Sequence, residues 1–214
     1  MPLFYQINQP PDFELAIWHI AEPEAWFLER LHLNEAEHAQ LSVIKGHRRL
    51  EWLAARYLLS QMLGRTAGAM IKDVHGKPHL AHLPLHISLS HSHGLAAVII
   101  AKHPVGVDIQ KLVMKIERIA HRVLRPEELA SLQPASRLEH LHIYWGAKES
   151  LYKAYGRREL DFTQHILITP FTFDLQNGRC YGQVIKDDYQ QSFSLYYQQI
   201  ADFILVYALQ QVNK

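Results

Sequence analysis

Apolar and polar positions alternate along residues 3–7 and 15–20, a period of two that predicts strands with one face toward a core. The period then lengthens. Asn34 followed by Glu37 forms a capping box that opens a helix to about residue 44. A longer helix is expected over residues 47–63, where Leu50, Leu53, Ala54, Tyr57, Leu58 and Met62 keep helical spacing and Gly64 supplies the stop. Arg48, Glu51, Arg56 and Gln61 fall off that apolar face. His75-Gly76-Lys77-Pro78 reads as a turn, residues 86–90 as a short strand and residues 95–101 as a strongly apolar one. Beyond His103-Pro104, a boundary, a strand is expected over residues 105–109. Pro126-Glu127-Glu128 starts a helix, with acids at its positive end. Ser136 and Glu139 form a second capping box, opening the clearest helix of the chain, which runs to Tyr155 and is closed by Gly156. Strands follow at residues 171–175, 179–185, 192–199 and 203–209, with Asn177-Gly178 as a hairpin turn. Each side of the boundary holds strands and at least one long helix, giving an α+β chain divided into 1–103 and 104–214.

Composition narrows the function classes. The 22 basic and 21 acidic residues leave a formal net charge of +1, without the excess expected of a nucleic-acid binder. Hydrophobic residues make up 48% and charged residues 20%, which suits a globular chain of 214 residues. No apolar run is long enough to span a bilayer and the first ten residues do not resemble a signal peptide, so a cytoplasmic protein is expected. A single cysteine, Cys180, precludes an internal disulfide or a cysteine-based zinc site. The 15 histidines show no HExxH spacing and read as scattered hydrogen bonders. Neither a GxxxxGK[ST] loop, a GxGxxG nor a GxSxG motif occurs.

Two segments hold candidate chemistry. An aspartate inside the strand Gly106-Val107-Asp108-Ile109-Gln110 is unfavourable on propensity. Either it alternates outward with Gln110, or it points inward and needs a cation, a metal or hydrogen-bond donors. On the long helix, Trp145, Glu149 and Lys153 share one side, with Lys148 on the adjoining row. A carboxylate between two ammonium groups could accept a proton or hold a metal while the lysines face phosphates. The plain alternative is an exposed ion pair contributing about 0.3 kcal/mol.

In order, Gly76-Lys77-Pro78, Ile87-Ser88-Leu89-Ser90-His91-Ser92, Gly106-Val107-Asp108 and WGAKESLYKAYG at 145–156 resemble the motifs of the 4′-phosphopantetheinyl transferases of the Sfp type. The arginine-rich segment with Arg48 and Arg56 has the right place and character for that family. The resemblance implies two similar α+β subdomains related by a pseudo-two-fold, with the active-site cleft between them. It implies transfer of the 4′-phosphopantetheine arm of coenzyme A to a serine of an apo carrier protein, dependent on Mg²⁺, releasing 3′,5′-ADP. A non-catalytic relative that keeps the coenzyme A or nucleotide site is the alternative. Carried over by position, Asp108 and Glu149 hold the metal, with Gln110 where many relatives have an acid. Glu149 is the base, and Lys153 faces the pyrophosphate with Lys148 nearby. Lys77 and Pro78 lie beside the nucleotide, Ser90 and His91 at the 3′-phosphate, and Arg48, Arg56 and Lys72 in the same cationic pocket. A monomer with an acidic carrier-protein helix as its partner is expected.

Overall fold

Alternation at the start of the chain becomes a hairpin in which β1 (Leu3–Gln9) pairs antiparallel with β2 (Phe13–His19). The computed structural model describes residues 3–9, 12–64, 70–176 and 178–212. It divides into two units, Met1–Lys102 and His103–Lys214. In the first, α1 (Glu24–Leu28), α2 (Glu35–Val43) and α3 (Arg48–Met62) follow the opening hairpin. The expected box caps α2: Glu37 N–H donates to Asn34 Oδ1 and Asn34 N–H to Glu37 Oε2. Gly64, at φ +65°, takes up the left-handed conformation after α3 that a side chain resists.

A small hairpin, β3 (Met70–Lys72) with β4 (Pro78–Leu80), precedes β5 (His86–Ser92) and β6 (Leu95–Ala101). The latter two join across His93 and Gly94, both at positive φ, which suits a tight hairpin. The resulting sheet runs β1-β2-β6-β5, and α3 buries Leu53, Ala54, Tyr57 and Leu58 in one core with Ala16, Trp18, Ile87, Ala96 and Val98.

The second unit starts with β7 (Val105–Lys111) and a 3-10 turn, Met114–Arg118. Short α4 (Ala120–Val123) and α5 (Pro126–Ala130) lead to α6 (Arg137–Tyr155). After it come β8 (Ile166–Ile168), β9 (Arg179–Lys186), β10 (Tyr189–Ile200) and β11 (Phe203–Gln210), in the sheet order β7-β11-β10-β9-β8. Helix α6 lays Leu141, Tyr144, Ala147 and Leu151 into a core with Leu195, Ile204, Val206 and Ala208. Gly156, at φ +74°, closes it as expected. Among the described residues, no helix is long and apolar enough to cross a membrane.

Three local expectations fail. Residues 171–175 form no strand: Phe171 packs on the Tyr144 and Tyr197 rings, and β9 takes β8 as its outer partner instead. Ser136 precedes α6 but its side chain makes no cap, because a 3-10 turn at Pro134–Ser136 brings it in at φ −128° and ψ 29° rather than extended. Glu51 and Arg56 do not leave the buried face of α3, for each is buried with a side-chain partner, His91 and Glu37 respectively. The Asn177-Gly178 turn lies partly outside the described residues, since Asn177 is not among them.

Candidate active site

Strand β7 and helix α6 approach so closely that side chains are excluded at their crossing. A Cβ on Gly106 would stand 1.8 Å from the Ser150 carbonyl oxygen. One on Gly146 would meet Val206 Cγ2 at 2.7 Å and Gln110 Nε2 at 3.3 Å. Ser150 Oγ donates to the Val206 carbonyl at 3.1 Å, fastening α6 to β11 beside that crossing. Glycine at both points is therefore a demand of contact distance, and it brings the polar groups of β7 and α6 together.

Asp108 is 7% exposed, so it does not alternate outward into solvent. Its Oδ1 accepts from Lys153 Nζ at 2.8 Å, and the same ammonium donates to the Val107 carbonyl at 2.9 Å. Glu149 lies one helical turn before Lys153 and joins this group. Burial pushes the Glu149 carboxyl up from its ordinary value, the neighbouring Asp108 charge pushes it further, and Lys153 pulls it back. The Asp108 and Glu149 charges repel each other, and the Lys153 ammonium opposes that repulsion. Hard oxygen donors of this kind suit Mg²⁺, which takes one or two protein carboxylates and fills its remaining positions with water and phosphate. Gln110 stands at the edge of the site. Its Nε2 donates to the His142 carbonyl of α6 at 3.0 Å, which leaves its Oε1 as the group a cation could use.

Lys148 has a different place from the one expected beside the pyrophosphate. It is fully buried, and its ammonium donates to Glu128 Oε2 at 2.8 Å and to the carbonyls of Phe162 and Ile166. Three acceptors use its three protons, so none remains for a phosphate. Glu128 in turn accepts from the backbone N–H groups of Arg125 and Ile168. The pair ties α5, α6 and β8 together.

The nucleotide-side candidates belong to the first unit. Lys77 and Pro78 follow a turn built on Asp73, whose Oδ1 accepts from His75 N–H and Lys77 N–H, each at 2.9 Å, while Oδ2 pairs with His79. The His79 contact first, then those two backbone donors, holds the Asp73 carboxyl down at about 2. His91 has a half-exposed ring whose Nδ1 lies 3.0 Å from Glu51 Oε2. Ser90, its neighbour on β5, is buried, so of this pair only His91 offers an open edge. Arg48 and Lys72 are exposed. Arg56 is not: it is buried against Glu37 and lies over the Trp52 ring, and burial lowers its guanidinium to about 10 while Glu37 opposes. It serves the packing of α2 on α3 rather than an open anion pocket.

Sequence spacing did not single out Glu51, Asp73 or Glu128. An aspartate four residues before Lys77, in Asp73-Val74-His75-Gly76, is a turn signal that could have exposed one of them. The partners of His91 and Lys148 are remote in sequence and leave no such trace.

Residues 104–208 match the model of the 4′-phosphopantetheinyl transferase superfamily. The chain is 31% identical over 119 residues to a 4′-phosphopantetheinyl transferase of Bacillus subtilis, a match covering 49% of this chain and 53% of that protein. It is 30% identical over 89 residues to 4′-phosphopantetheinyl transferase gsp of Aneurinibacillus migulanus, covering 40% and 37% of the two chains. The matches thus span about half the length of the first relative and less of the second. The family match runs from the residue before β7 almost to the end of β11 and so includes Asp108, Glu149 and Lys153; the similarity to the 4′-phosphopantetheinyl transferase superfamily lies in the second unit.

Proposed function

We propose that the protein transfers the 4′-phosphopantetheine arm of coenzyme A to a serine hydroxyl of an apo carrier protein and releases 3′,5′-ADP. The observation that carries this reading is the Asp108–Glu149–Lys153 group, half-buried where β7 meets α6 inside the family match. In the reaction the serine oxygen forms a bond to the β-phosphorus of coenzyme A. The bond between that phosphorus and the bridging oxygen breaks, and the hydroxyl proton passes to Glu149. A carboxylate made more basic by burial and by a neighbouring charge is suited to that role. Asp108 and Glu149 would hold Mg²⁺, with Gln110 Oε1 at its margin. When bound, the ion supplies charge neutralisation on the diphosphate. Lys153 lies beside the same phosphates, and Lys77, Pro78 and His91 belong to the nucleotide end, with Arg48 and Lys72 as further cations there. The two units, each an antiparallel sheet carrying one long helix, are taken as the two similar halves of the family's fold. The protein acts as a cytoplasmic monomer with an acidic carrier protein as its partner.

The test is mass spectrometry of an apo carrier protein incubated with the protein, coenzyme A and Mg²⁺. A mass gain equal to the phosphopantetheine arm, absent without Mg²⁺, is the expected result. Binding of coenzyme A with no such gain on any carrier class would favour a non-catalytic relative. The specific observation on that side is Gln110, an uncharged residue whose amide is already engaged by His142.

A further inference from the structure

Glu51 is a carboxylate on α3 with a side chain only 8% exposed, and it reaches His91, whose ring is 47% exposed, at 3.0 Å. Carboxylates are rarely buried without a partner, because an unpaired one forfeits its hydration. A carboxylate so enclosed has little freedom to turn toward water, so the ring it holds has a fixed orientation. The backbone under His91 is equally constrained, being paired with Ala96 within the β5–β6 hairpin. With Nδ1 held on the buried side, Nε2 occupies the open edge of the ring. Which nitrogen of a histidine meets a ligand is commonly set by the hydrogen bond the other one makes. Arg48, one turn before Glu51 on α3, is exposed and adds a permanent cation on the same side of that helix.

We propose that Glu51 is a positioning residue: it grips His91 by Nδ1 and so presents Nε2 to the 3′-phosphate of coenzyme A. The identity of the anion rests on the transferase reading. A protonated imidazole can donate from one nitrogen to a carboxylate and from the other to a phosphate, and both bonds are charge-assisted. Glu51 touches no substrate itself and acts only through the ring.

Calorimetric titration with coenzyme A and with 3′-dephospho-coenzyme A tests this, using wild type, Glu51→Leu, His91→Gln and the double variant. Wild type should prefer coenzyme A. Glu51→Leu should lose roughly five- to thirtyfold in affinity for coenzyme A and little for the dephospho form, as expected for one misdirected charge-assisted bond. Adding Glu51→Leu to His91→Gln should cost nothing further, and in the transfer assay the loss should fall on KM rather than kcat. An equal loss for both ligands, or no loss, overturns the proposal. If Glu51→Leu does not fold, Glu51→Gln decides: a diminished preference for coenzyme A supports the proposal and an undiminished one overturns it. Wild type that discriminates the 3′-phosphate through Glu51 but modifies no carrier would sink the transferase reading alone. Transfer without discrimination would sink this proposal alone.

Discussion

Glu149 stands where burial and the Asp108 charge favour its protonated form and Lys153 opposes both. In the metal-free protein its carboxyl should titrate above the ordinary glutamate range, and Lys153→Met should move it higher by removing the opposing charge. Added Mg²⁺ should bring it down. Carbon-detected NMR of the labelled carboxyl would follow all three. The linkage sign is that of a raised acid: protonation favours the folded state, and the stability it contributes below the unfolded pKa is lost as pH rises through the folded one. Glu149→Gln, nearly isosteric, should lower carrier modification at least about 100-fold, on the scale of a lost general base. Wild-type-like turnover would remove Glu149 from the chemistry. Gln110 is a different kind of residue, a pin between β7 and α6. Gln110→Ala should cost roughly 1 kcal/mol in urea denaturation. Gln110→Glu sets a carboxylate against the His142 carbonyl, so it should destabilise the metal-free protein more than alanine does and recover part of the loss when Mg²⁺ is added. Spacing revealed that Glu149 and Lys153 share a helix face, but it could not show that Asp108 closes the group, since alternation in β7 equally permitted an outward side chain.

Among the elements, those with a strong local signal formed where the sequence placed them. The Asn34–Glu37 box caps α2 because both partners lie within one turn. The Ser136–Glu139 pattern has the same spacing, yet Pro134 bends the entry and the serine does not cap. Phe171 and Phe173 alternate like a strand because they pack on the His140 ring, a contact that needs no ladder of backbone hydrogen bonds. The close crossing of β7 and α6 has its own consequence. Gly106→Ala would drive a methyl into the Ser150 carbonyl, and separating the two elements should cost about 3 kcal/mol. It should also weaken Mg²⁺ binding, which calorimetry of the metal alone would read. Lys148→Met should cost about 3–5 kcal/mol in denaturant unfolding, because it breaks a buried pair with Glu128. Replacing both partners with apolar residues should cost less than removing one.

At the scale of the molecule, acid sensitivity is built into α6. His140 is completely buried, its Nε2 has no hydrogen-bond partner among the described residues, and burial lowers the imidazole from 6.5 to about 4. A folded value below the unfolded one means stability is present above pH 6.5 and lost as pH falls toward 4, by roughly 3 kcal/mol for this group. His140→Phe should flatten unfolding free energy across that window; an unchanged slope would show that other groups dominate. The α+β character was legible because both units carry clear strand and helix periods, whereas the buried ion pairs were not, since local spacing cannot say which charges a fold will enclose. The enclosure of Lys148 also alters how the protein meets an acylating reagent. Lys153, with 26% of its side chain exposed, can react in the native state, and modification there would silence the site. Lys148, five positions earlier, is out of reach until the second unit opens. Label at Lys148 therefore reports only molecules that have unfolded, so one peptide spanning both lysines records inactivation and unfolding as two separate clocks.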